Sequence, residues 1–501
     1  MKTKIFNLLI IILYLLTLAS CNGVFPKNKN TITIINTLTN EQTLIKLDKD
    51  YFKIEDLPCF EETSNYFLGY SLNIDDNYYL NSDTVYKITK NLKVYANFGI
   101  KKDSFKIDSI GYLFINTNKN ISSKEDYVDA TVQIVDNNYT LLETPVHIRL
   151  RGNSSLEAPK KSYKLKFNNK VDIFDFGSDK EWALIANYYD PSLFRNYYAY
   201  NLGKVMGLEY NVDCKFVNVY LNEQNQGLYL FTETVKTSSN RVDIENSYNP
   251  DSYEIPFLLE LDFKLKENNP NYVEDLLDKE FFFLDNRKYN GKMYQFATKY
   301  PKSYTKEHIT SKQYKFIMDY MNAVYESVRN QNYDQYIDVD SFINYFIIQE
   351  LFLNIDQDYS SVFMYKPYGE KLHMGPIWDF DISTGNCNYA GIYDPYRQMK
   401  DVNGGNYLFV TLMKDKNFKN KFLSRLKELD TNYTISTMLD SFEHNYQLIK
   451  KFAEADNKIW NNLNKDAWPR PKWLLNLTYK QQVDYLNNYL KEHYYWMIKN
   501  M

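Results

Sequence analysis

The sequence has few of the residues that mark specialised protein classes. Its 501 residues include only 16 Gly, 14 Pro and 4 Cys, which excludes collagen-like chains and small domains held together by disulfides. With 44% hydrophobic and 24% charged residues, the chain is not wholly disordered either. Beyond Cys21, the cysteines are odd in number and widely spaced, so we expect free buried thiols rather than disulfides or a zinc site at Cys59, Cys214 and Cys387. What the sequence has in excess is aromatic side chains, namely 47 Tyr, 31 Phe and 6 Trp.

The chain also lacks a strong charge of either sign. Its 59 Lys and Arg against 63 Asp and Glu give a net charge of −4, so we expect no nucleic-acid partner. Arginine is scarce, at nine residues against 50 Lys, yet four of the nine fall within 93 residues. Arginine binds phosphate or carboxylate through a planar two-pronged group. These four are candidate anion-binding residues, although ordinary ion pairs explain them equally well: Arg149, Arg151, Arg195 and Arg241.

The N-terminus has the pattern of a bacterial export signal. Lys2 and Lys4 precede an apolar stretch from Ile5 to Leu18, which is followed by small residues and Cys21. Residues 1 to 21 resemble a lipoprotein signal in which Cys21 becomes the lipidated first residue of the mature chain. A membrane-spanning anchor is the alternative, but about 15 apolar residues are fewer than the roughly 20 that a bilayer needs. We therefore expect a lipid-anchored protein at the extracytoplasmic face of the bacterial membrane.

A small β domain is predicted next. After a polar tether at residues 22 to 30, four short alternating stretches with turn residues between them predict strands within residues 31 to 98. The segment Phe67-Leu-Gly-Tyr70, with Tyr86 and residues 92 to 96, resembles the Listeria-Bacteroides surface repeat. That resemblance implies a spacer or an adhesive module.

A larger α+β domain is predicted over residues 104 to 500. Strands come first, then mixed helices and strands, and amphipathic helices follow after about residue 400. No segment repeats with a period of about 20 to 50 residues, so a solenoid is not expected. At roughly 150 residues per domain, the length of the chain allows about two to four domains in all.

A basic motif surrounds a turn of small residues in this larger domain. Arg149-Leu-Arg151-Gly152-Asn153-Ser154-Ser155 reads as a strand that enters a turn, and residues 159 to 167 return as a second strand. Backbone N–H groups of such a turn can approach a phosphate, which a lysine on the return strand then neutralises. The alternative is ordinary turn chemistry with a solvated lysine face. Alternation places Tyr163, Leu165 and Phe167 on one face of the return strand and Lys164 and Lys166 on the other.

Two further segments indicate a function less specifically. Asp190 and Pro191 are predicted to begin a helix from which Arg195 projects, either as an ion-pair anchor or as a site residue. A hairpin of residues 216 to 221 and 227 to 231 then leads into Thr232-Glu233.

The most informative segment lies between residues 340 and 386. Asp340 is predicted to cap a helix that ends near Asn354, and a polar loop with Asp356 and Asp358 follows. A hairpin of strands at residues 362 to 365 and 371 to 375 then leads into Asp379-Phe-Asp381. Protein kinases place a catalytic-loop Asp and a metal-binding Asp in this order. One such aspartate would merely cap a turn, but the ordered set favours a site that holds divalent cations and accepts a proton.

Together these motifs resemble the CotH family, the spore-coat protein H kinases, over residues 104 to 500. The resemblance implies an atypical, two-lobed, protein-kinase-like fold with a helical C-terminal region. It implies ATP and Mg²⁺ (or Mn²⁺) as cofactors and a protein substrate with Ser or Thr acceptors. The motifs that carry it are Arg151 to Ser155, Lys160 to Phe167, Trp182 to Asn196, Gly227 to Glu233, Glu260-Leu-Asp262, Asn354-Ile-Asp356 and Gly375 to Asp381 with Gly385-Asn386.

The resemblance also implies roles for single residues. Asp356 would orient the acceptor hydroxyl, Asp379 would bind the metal ion, and Asp381 would add a ligand. Glu233 would lie at the edge that holds adenine. The phosphates would lie near Gly152, Asn153 and Ser154, with Arg151 as a further contact and Lys161 or Lys166 as their counter-ion. The sequence leaves open which of Lys161, Lys164 and Lys166 contacts the phosphates.

One departure from the kinase pattern concerns the metal site. Kinases have a metal-binding Asn five residues after the catalytic Asp, and this chain has Ser361 there. A hydroxyl is a poorer Mg²⁺ ligand than an amide oxygen, and Asp358 is a candidate substitute.

Two other functions remain open from the sequence. One is a catalytically weak or inactive kinase-like adhesin or scaffold at the cell surface. The other is glycoside hydrolysis by paired carboxylates, which suits the many aromatic residues but not the basic strand motif.

Overall fold

The structure is a computed structural model that describes residues 30–37, 40–58, 65–73, 80, 84–89, 92–100, 104–137, 139–245, 251–262, 281–289, 292–301, 310–402 and 405–501. The predicted export signal, most of the tether, Cys21 and Cys59 lie outside these residues, as does the side chain of Ser154. The chain divides into two compact units, Met1–Gly99 and Ile100–Met501. Within the described residues, every helix is too short or too polar to cross a bilayer.

The N-terminal unit contains two small sheets. Its strands are β1 (Asn30–Asn36), β2 (Gln42–Leu47), β3 (Tyr51–Phe52), β4 (Asn65–Ser71), β5 (Tyr86–Lys87) and β6 (Leu92–Ile100). The larger sheet has the order β2-β1-β6-β4, and β3 pairs with β5. Alternate residues of β1 and β6, among them Ile32, Ile34, Val94 and Ala96, form a buried core. The four strands predicted for this region are confirmed.

The C-terminal unit begins with a closed barrel. Its strands are β7 (Gly111–Asn116), β8 (Val128–Asp136), β9 (Tyr139–Arg151), β10 (Ser162–Val171), β11 (Asp179–Ile185), β12 (Cys214–Leu221) and β13 (Gln224–Glu233). They close in the order β10-β11-β13-β12-β7-β8-β9. The predicted alternation of β10 is confirmed, because Tyr163, Leu165 and Phe167 enter the barrel core while Lys164 and Lys166 do not. The predicted hairpin is also confirmed, and its tight turn is formed by Asn222 and Glu223, both with positive φ.

A second, antiparallel sheet and a group of helices complete this unit. The strands are β14 (Phe257–Leu261), β15 (Phe281–Tyr289), β16 (Lys292–Tyr300), β17 (Val362–Lys366) and β18 (His373–Met374), in the order β15-β16-β14-β17-β18. The helices are α1 (Arg195–Val205), α2 (Ser311–Arg329), α3 (Val339–Phe352), α4 (Tyr407–Leu412), α5 (Lys416–Thr431), α6 (Thr434–Trp460) and α7 (Tyr479–Asn500). One continuous apolar core joins the helices to this sheet. The predicted mixture of helices and strands is confirmed.

Two predicted helix starts are wrong by a few residues. Helix α1 begins at Arg195 rather than Pro191, because Leu193 has φ +67° and the Asp190 carboxylate instead accepts the N–H groups of Ser192 and Arg195. Helix α3 is capped by Asp338 rather than Asp340, since the Asp338 carboxylate accepts the Ser341 N–H at 2.8 Å.

Candidate functional site

A deep cleft of about 1820 Å³ lies in the C-terminal unit. The barrel strands β9, β10 and β11 and the turn after β9 contribute to its lining. The loops after α3 and after β18 also contribute to it. Strands bury one face in the barrel core and turn the other outward, so the polar residues of β9 and β10 can line the cleft.

The barrel side of the cleft carries a basic strip. Arg149 and Arg151 alternate with the buried Ile148 and Leu150 on β9, so both arginines project from the outer face. Lys164 lies directly opposite Arg149 on the paired strand β10. All three basic residues line the cleft. We name Arg149, Arg151 and Lys164 the basic strip.

The basic strip is only partly neutralised. Lys164 forms an ion pair with Glu181 at 3.1 Å. The Arg149 guanidinium lies 4.9 Å from the centre of the Tyr127 ring, and its buried Nε has no hydrogen-bond partner among the described residues. Positive charge of this kind, on a rigid sheet and facing a cleft, suits a phosphate group.

Asp356, which follows the end of helix α3, also lines the cleft. Leu353 ends the helix in a left-handed conformation, with φ +42°, and turns the chain into the loop. The Asn354 side-chain oxygen accepts the Asp356 N–H at 3.1 Å, and the Asp356 carbonyl accepts the N–H groups of Tyr359 and Ser360. Asp356 is therefore half-exposed on a loop that is fixed at both ends.

Asp379 lies beside the same loop, five residues after the end of β18. Its backbone has φ +65°, and its carboxylate accepts a hydrogen bond from the Ser361 hydroxyl at 3.1 Å. The Arg151 guanidinium lies 5.2 Å from the centre of the Trp378 ring. Burial lowers the pKa of Arg151, while Tyr200 and the Asp379 carboxylate act in the opposite sense. The structure thus brings Arg151, Ser361 and Asp379 together, although they are far apart in the sequence.

Asp381 and Asp358 also line the cleft, in different environments. Asp381 is half-exposed. Asp358 accepts a hydrogen bond from the Tyr294 hydroxyl at 3.4 Å, and burial raises its pKa well above the ordinary range. Burial favours the neutral acid, so Asp358 is a poor substitute for an amide ligand to a metal ion.

The carboxylates fit a magnesium ion only in a particular way. Among the described residues, no three His, Cys, Asp or Glu side chains are grouped closely enough to hold a metal ion by themselves. Mg²⁺ usually binds one or two carboxylates and completes its shell with water and substrate phosphates. Asp379 has Asp381 close to it in sequence and the Ser361 hydroxyl close to it in space. This set suits a magnesium ion that binds together with a nucleotide, and it is too small to hold the ion by itself.

The turn after β9 approaches the cleft closely. Gly152 lines it with φ +110°, and a Cβ atom there would lie 1.9 Å from the Ser155 hydroxyl oxygen. Only glycine suits this position. Asn153 lines the cleft as well, and Ser154 begins a short 3₁₀ turn, Ser154–Leu156.

Three residues predicted for the site lie apart from it. Lys161 donates to the Leu156 carbonyl at 2.6 Å, and Lys166 lies 5.7 Å from the centre of the Tyr127 ring; neither lines the cleft. Glu233 is buried in an ion pair with Arg241 at 2.5 Å, and burial raises its pKa to about 8. The residues that follow it, Thr234 to Ser238, do line the cleft. These positions do not support phosphate binding by Lys161 or Lys166, nor adenine binding by Glu233 itself.

Arg195 does not line the cleft but stabilises a loop beside it. It is 1% exposed and pairs with Asp190 at 2.5 Å. Its guanidinium also donates to the carbonyls of Ser383 and Thr384, in the loop that follows Asp381. The ion-pair interpretation of Arg195 and Arg241 is therefore correct for both.

A comparison with protein families finds a match over the part of the chain that forms most of this cleft. The family model described as CotH kinase protein covers residues 148–497, from strand β9 to helix α7. The chain belongs to the CotH kinase family. No curated protein matches the chain. As a CotH kinase family member it is a kinase-like protein, and both the basic strip and the aspartate loops lie inside the matched region.

Sequence reasoning missed several residues of this CotH site. Glu181 reaches Lys164 diagonally across the β10–β11 pair, in which Lys164 lies opposite Ala183. Tyr200, from α1, stacks on Trp378 with ring centres 5.7 Å apart. Both contacts depend on packing between distant segments, so no local pattern signals them. Arg149 was signalled by the scarcity of arginine and by its place in the basic motif before Gly152.

Proposed function

We propose that this protein is an atypical, metal-dependent protein kinase that transfers the γ-phosphate of ATP to Ser or Thr hydroxyls of a protein substrate. The barrel would serve as the first lobe, and the second sheet with its helices as the other. A lipid at Cys21 would hold the protein at the extracytoplasmic face of the bacterial membrane.

One observation carries this proposal: the basic strip and Asp356, Asp379 and Asp381 all line a single cleft. Phosphoryl transfer needs positive charge at the phosphates, carboxylates that hold Mg²⁺, and a carboxylate near the acceptor. A glycosidase would need its two carboxylates but has no use for the basic strip.

The basic strip and the aspartates have distinct roles in this proposal. Arg149, Arg151 and Lys164 bind the phosphates and stabilise charge that develops during transfer. Asp356 orients the acceptor hydroxyl and accepts its proton. Asp379, with Asp381, would hold Mg²⁺, which supplies further charge neutralisation when bound. The connection that lines the cleft after Glu233, Thr234 to Ser238, is the proposed edge for the base.

The experiment is phosphoryl transfer by the full chain purified in detergent. We expect a thermal shift with ATP that requires Mg²⁺ or Mn²⁺, and transfer of labelled phosphate to the protein itself or to a generic protein acceptor. Because ATP is scarce outside the membrane, GTP and other nucleoside triphosphates are tested in parallel as donors. Absence of any metal-dependent shift with every donor would contradict the proposal.

Replacement of Ser361 by Asn is expected to strengthen metal binding. Ser361 has φ +61°, a conformation that Asn tolerates better than most residues, so the change should not strain the loop. An amide oxygen next to Asp379 is the ligand that kinases use at this point. Ser361→Asn should therefore lower the Mg²⁺ concentration that half-saturates ATP binding by roughly threefold to tenfold, as one added ligand contact would. Ser361→Ala is the matched variant and should raise that concentration; equal values for the two would contradict this role of position 361.

A second candidate function, a surface-binding protein, is favoured by exposed aromatic pairs near the cleft. Tyr389 and Trp468 stack with ring centres 5.8 Å apart, and Trp468 is 62% exposed. Tyr393 and Trp473, both about half exposed, contact each other edge to face. If adhesion is the function, Trp468→Ala should abolish it while Asp356→Asn leaves it intact.

A further inference from the structure

One peptide group beside the cleft is held at both of its polar atoms by asparagine side chains. The Asp379 carbonyl accepts a hydrogen bond from Asn354 Nδ2 at 3.3 Å. On the other side of the same peptide bond, the Phe380 N–H donates to Asn196 Oδ1 at 2.7 Å. Asn354 and Asn196 are only 3% and 2% exposed. The two side chains thus fix the orientation of this peptide plane from opposite directions.

Each asparagine is itself held by its second polar atom. Asn354 Oδ1 accepts the Asp356 N–H at 3.1 Å, so one side chain links the backbones of Asp356 and Asp379. Asn196 Nδ2 donates to the Asn187 side-chain oxygen at 3.0 Å. Each asparagine therefore donates one hydrogen bond and accepts another. A side-chain amide can do both, whereas a carboxylate can only accept.

This arrangement matters because the Asp379 backbone is in an unfavourable conformation. Asp379 has φ +65°, which aspartate adopts more readily than most residues but which still costs free energy that surrounding contacts offset. In this conformation the Asp379 carboxylate meets the Ser361 hydroxyl at the cleft. The orientation of the Asp379–Phe380 peptide group determines ψ of Asp379, so the two hydrogen bonds restrain the backbone from which the carboxylate projects.

We propose that Asn196 and Asn354 are positioning residues that hold the Asp379 carboxylate ready for a divalent cation. Neither side chain needs to touch the metal ion or the nucleotide. The role of the cation in this inference rests on the proposed kinase function. The hydrogen bonds that hold the peptide group do not depend on it.

The first test is hydrogen–deuterium exchange of the segment 376–386 in the full chain. A buried N–H that is hydrogen-bonded exchanges slowly. Asn196→Ala and Asn354→Ala should each increase exchange in this segment. Asn201→Ala is the matched control on the same helix as Asn196, because Asn201 Nδ2 donates to the Tyr197 carbonyl within α1. Unchanged exchange in the first two variants would overturn the proposal.

The second test is the Mg²⁺ requirement of ATP binding, followed by thermal shift. Loss of one buried hydrogen bond corresponds to roughly a fivefold change in an equilibrium, so each variant should raise the half-saturating Mg²⁺ concentration by about that factor. Both side chains act on the same peptide group, so the double variant should show less than the product of the two effects. Faster exchange with an unchanged Mg²⁺ requirement would also overturn the proposal.

The two proposals can fail separately. If the wild type binds no nucleoside triphosphate at any Mg²⁺ or Mn²⁺ concentration, the proposed kinase function is wrong, and Mn²⁺ affinity without nucleotide, measured by electron paramagnetic resonance, then decides the role of the asparagines. Weaker Mn²⁺ binding in Asn196→Ala and Asn354→Ala than in Asn201→Ala supports positioning of Asp379. Equal Mn²⁺ binding in all three variants overturns it.

Discussion

Asp356→Asn is expected to lower the rate of phosphoryl transfer by about 10²–10⁴-fold while ATP binding in the presence of Mg²⁺ changes little. The amide has nearly the same shape, and it can still occupy the loop held by Asn354. What it loses is the ability to accept the proton of the acceptor hydroxyl. The measurement is kcat for transfer together with the KM for ATP, and the expected result is a loss confined to kcat.

Asp358→Asn is the matched control two residues further along the same loop. Burial raises the pKa of Asp358, so the neutral acid is favoured and an amide preserves the charge. We expect a small effect on transfer. Asp379→Ala should behave differently from both, because loss of a metal-binding carboxylate weakens ATP binding itself. A similar loss of kcat in Asp356→Asn and Asp358→Asn would contradict the assignment of Asp356.

Local patterns were sufficient to predict much of the barrel and the order of the aspartates. The alternation of β10 follows from side-chain period alone, because Leu165 and Phe167 can be buried only together. The helix before Asp356 and the hairpin before Asp379 are likewise signalled by runs of apolar residues and turns. The secondary structure of these segments is determined by residues that are close together in the sequence.

Contacts between distant segments were not predictable in this way. Lys164 and Lys166 share a face of β10, yet Lys164 lines the cleft and Lys166 does not. The sequence predicted that Glu233 lines the cleft. In the structure its side chain is buried in an ion pair with Arg241 and is not part of the cleft lining. Such outcomes depend on register and on packing partners, which a single sequence does not contain.

Lys160 also contacts a distant segment, and its replacement leads to the largest expected loss of stability. Its ammonium group pairs with Asp456 of α6 at 2.6 Å, and donates to the Leu228 carbonyl at 2.5 Å. The two side chains are 0% and 1% exposed. Burial is the main influence on both groups, lowering the pKa of Lys160 and raising that of Asp456. The pair therefore joins the barrel to the longest C-terminal helix, at an electrostatic cost that their mutual contact and their hydrogen bonds to the Leu228 backbone offset.

Lys160→Met should destabilise the protein by about 3–5 kcal/mol, since it leaves Asp456 buried without its counter-ion. Lys204→Met is the control, because Lys204 pairs with Asp213 at 2.7 Å with 61% of its side chain exposed, and an exposed pair contributes about 0–1 kcal/mol. Urea denaturation of the full chain measures both losses. Lys160→Met/Asp456→Leu removes the unpaired charge as well and should recover much of the stability. If the double variant is no more stable than Lys160→Met, the loss comes from packing around Lys160 and not from the stranded carboxylate.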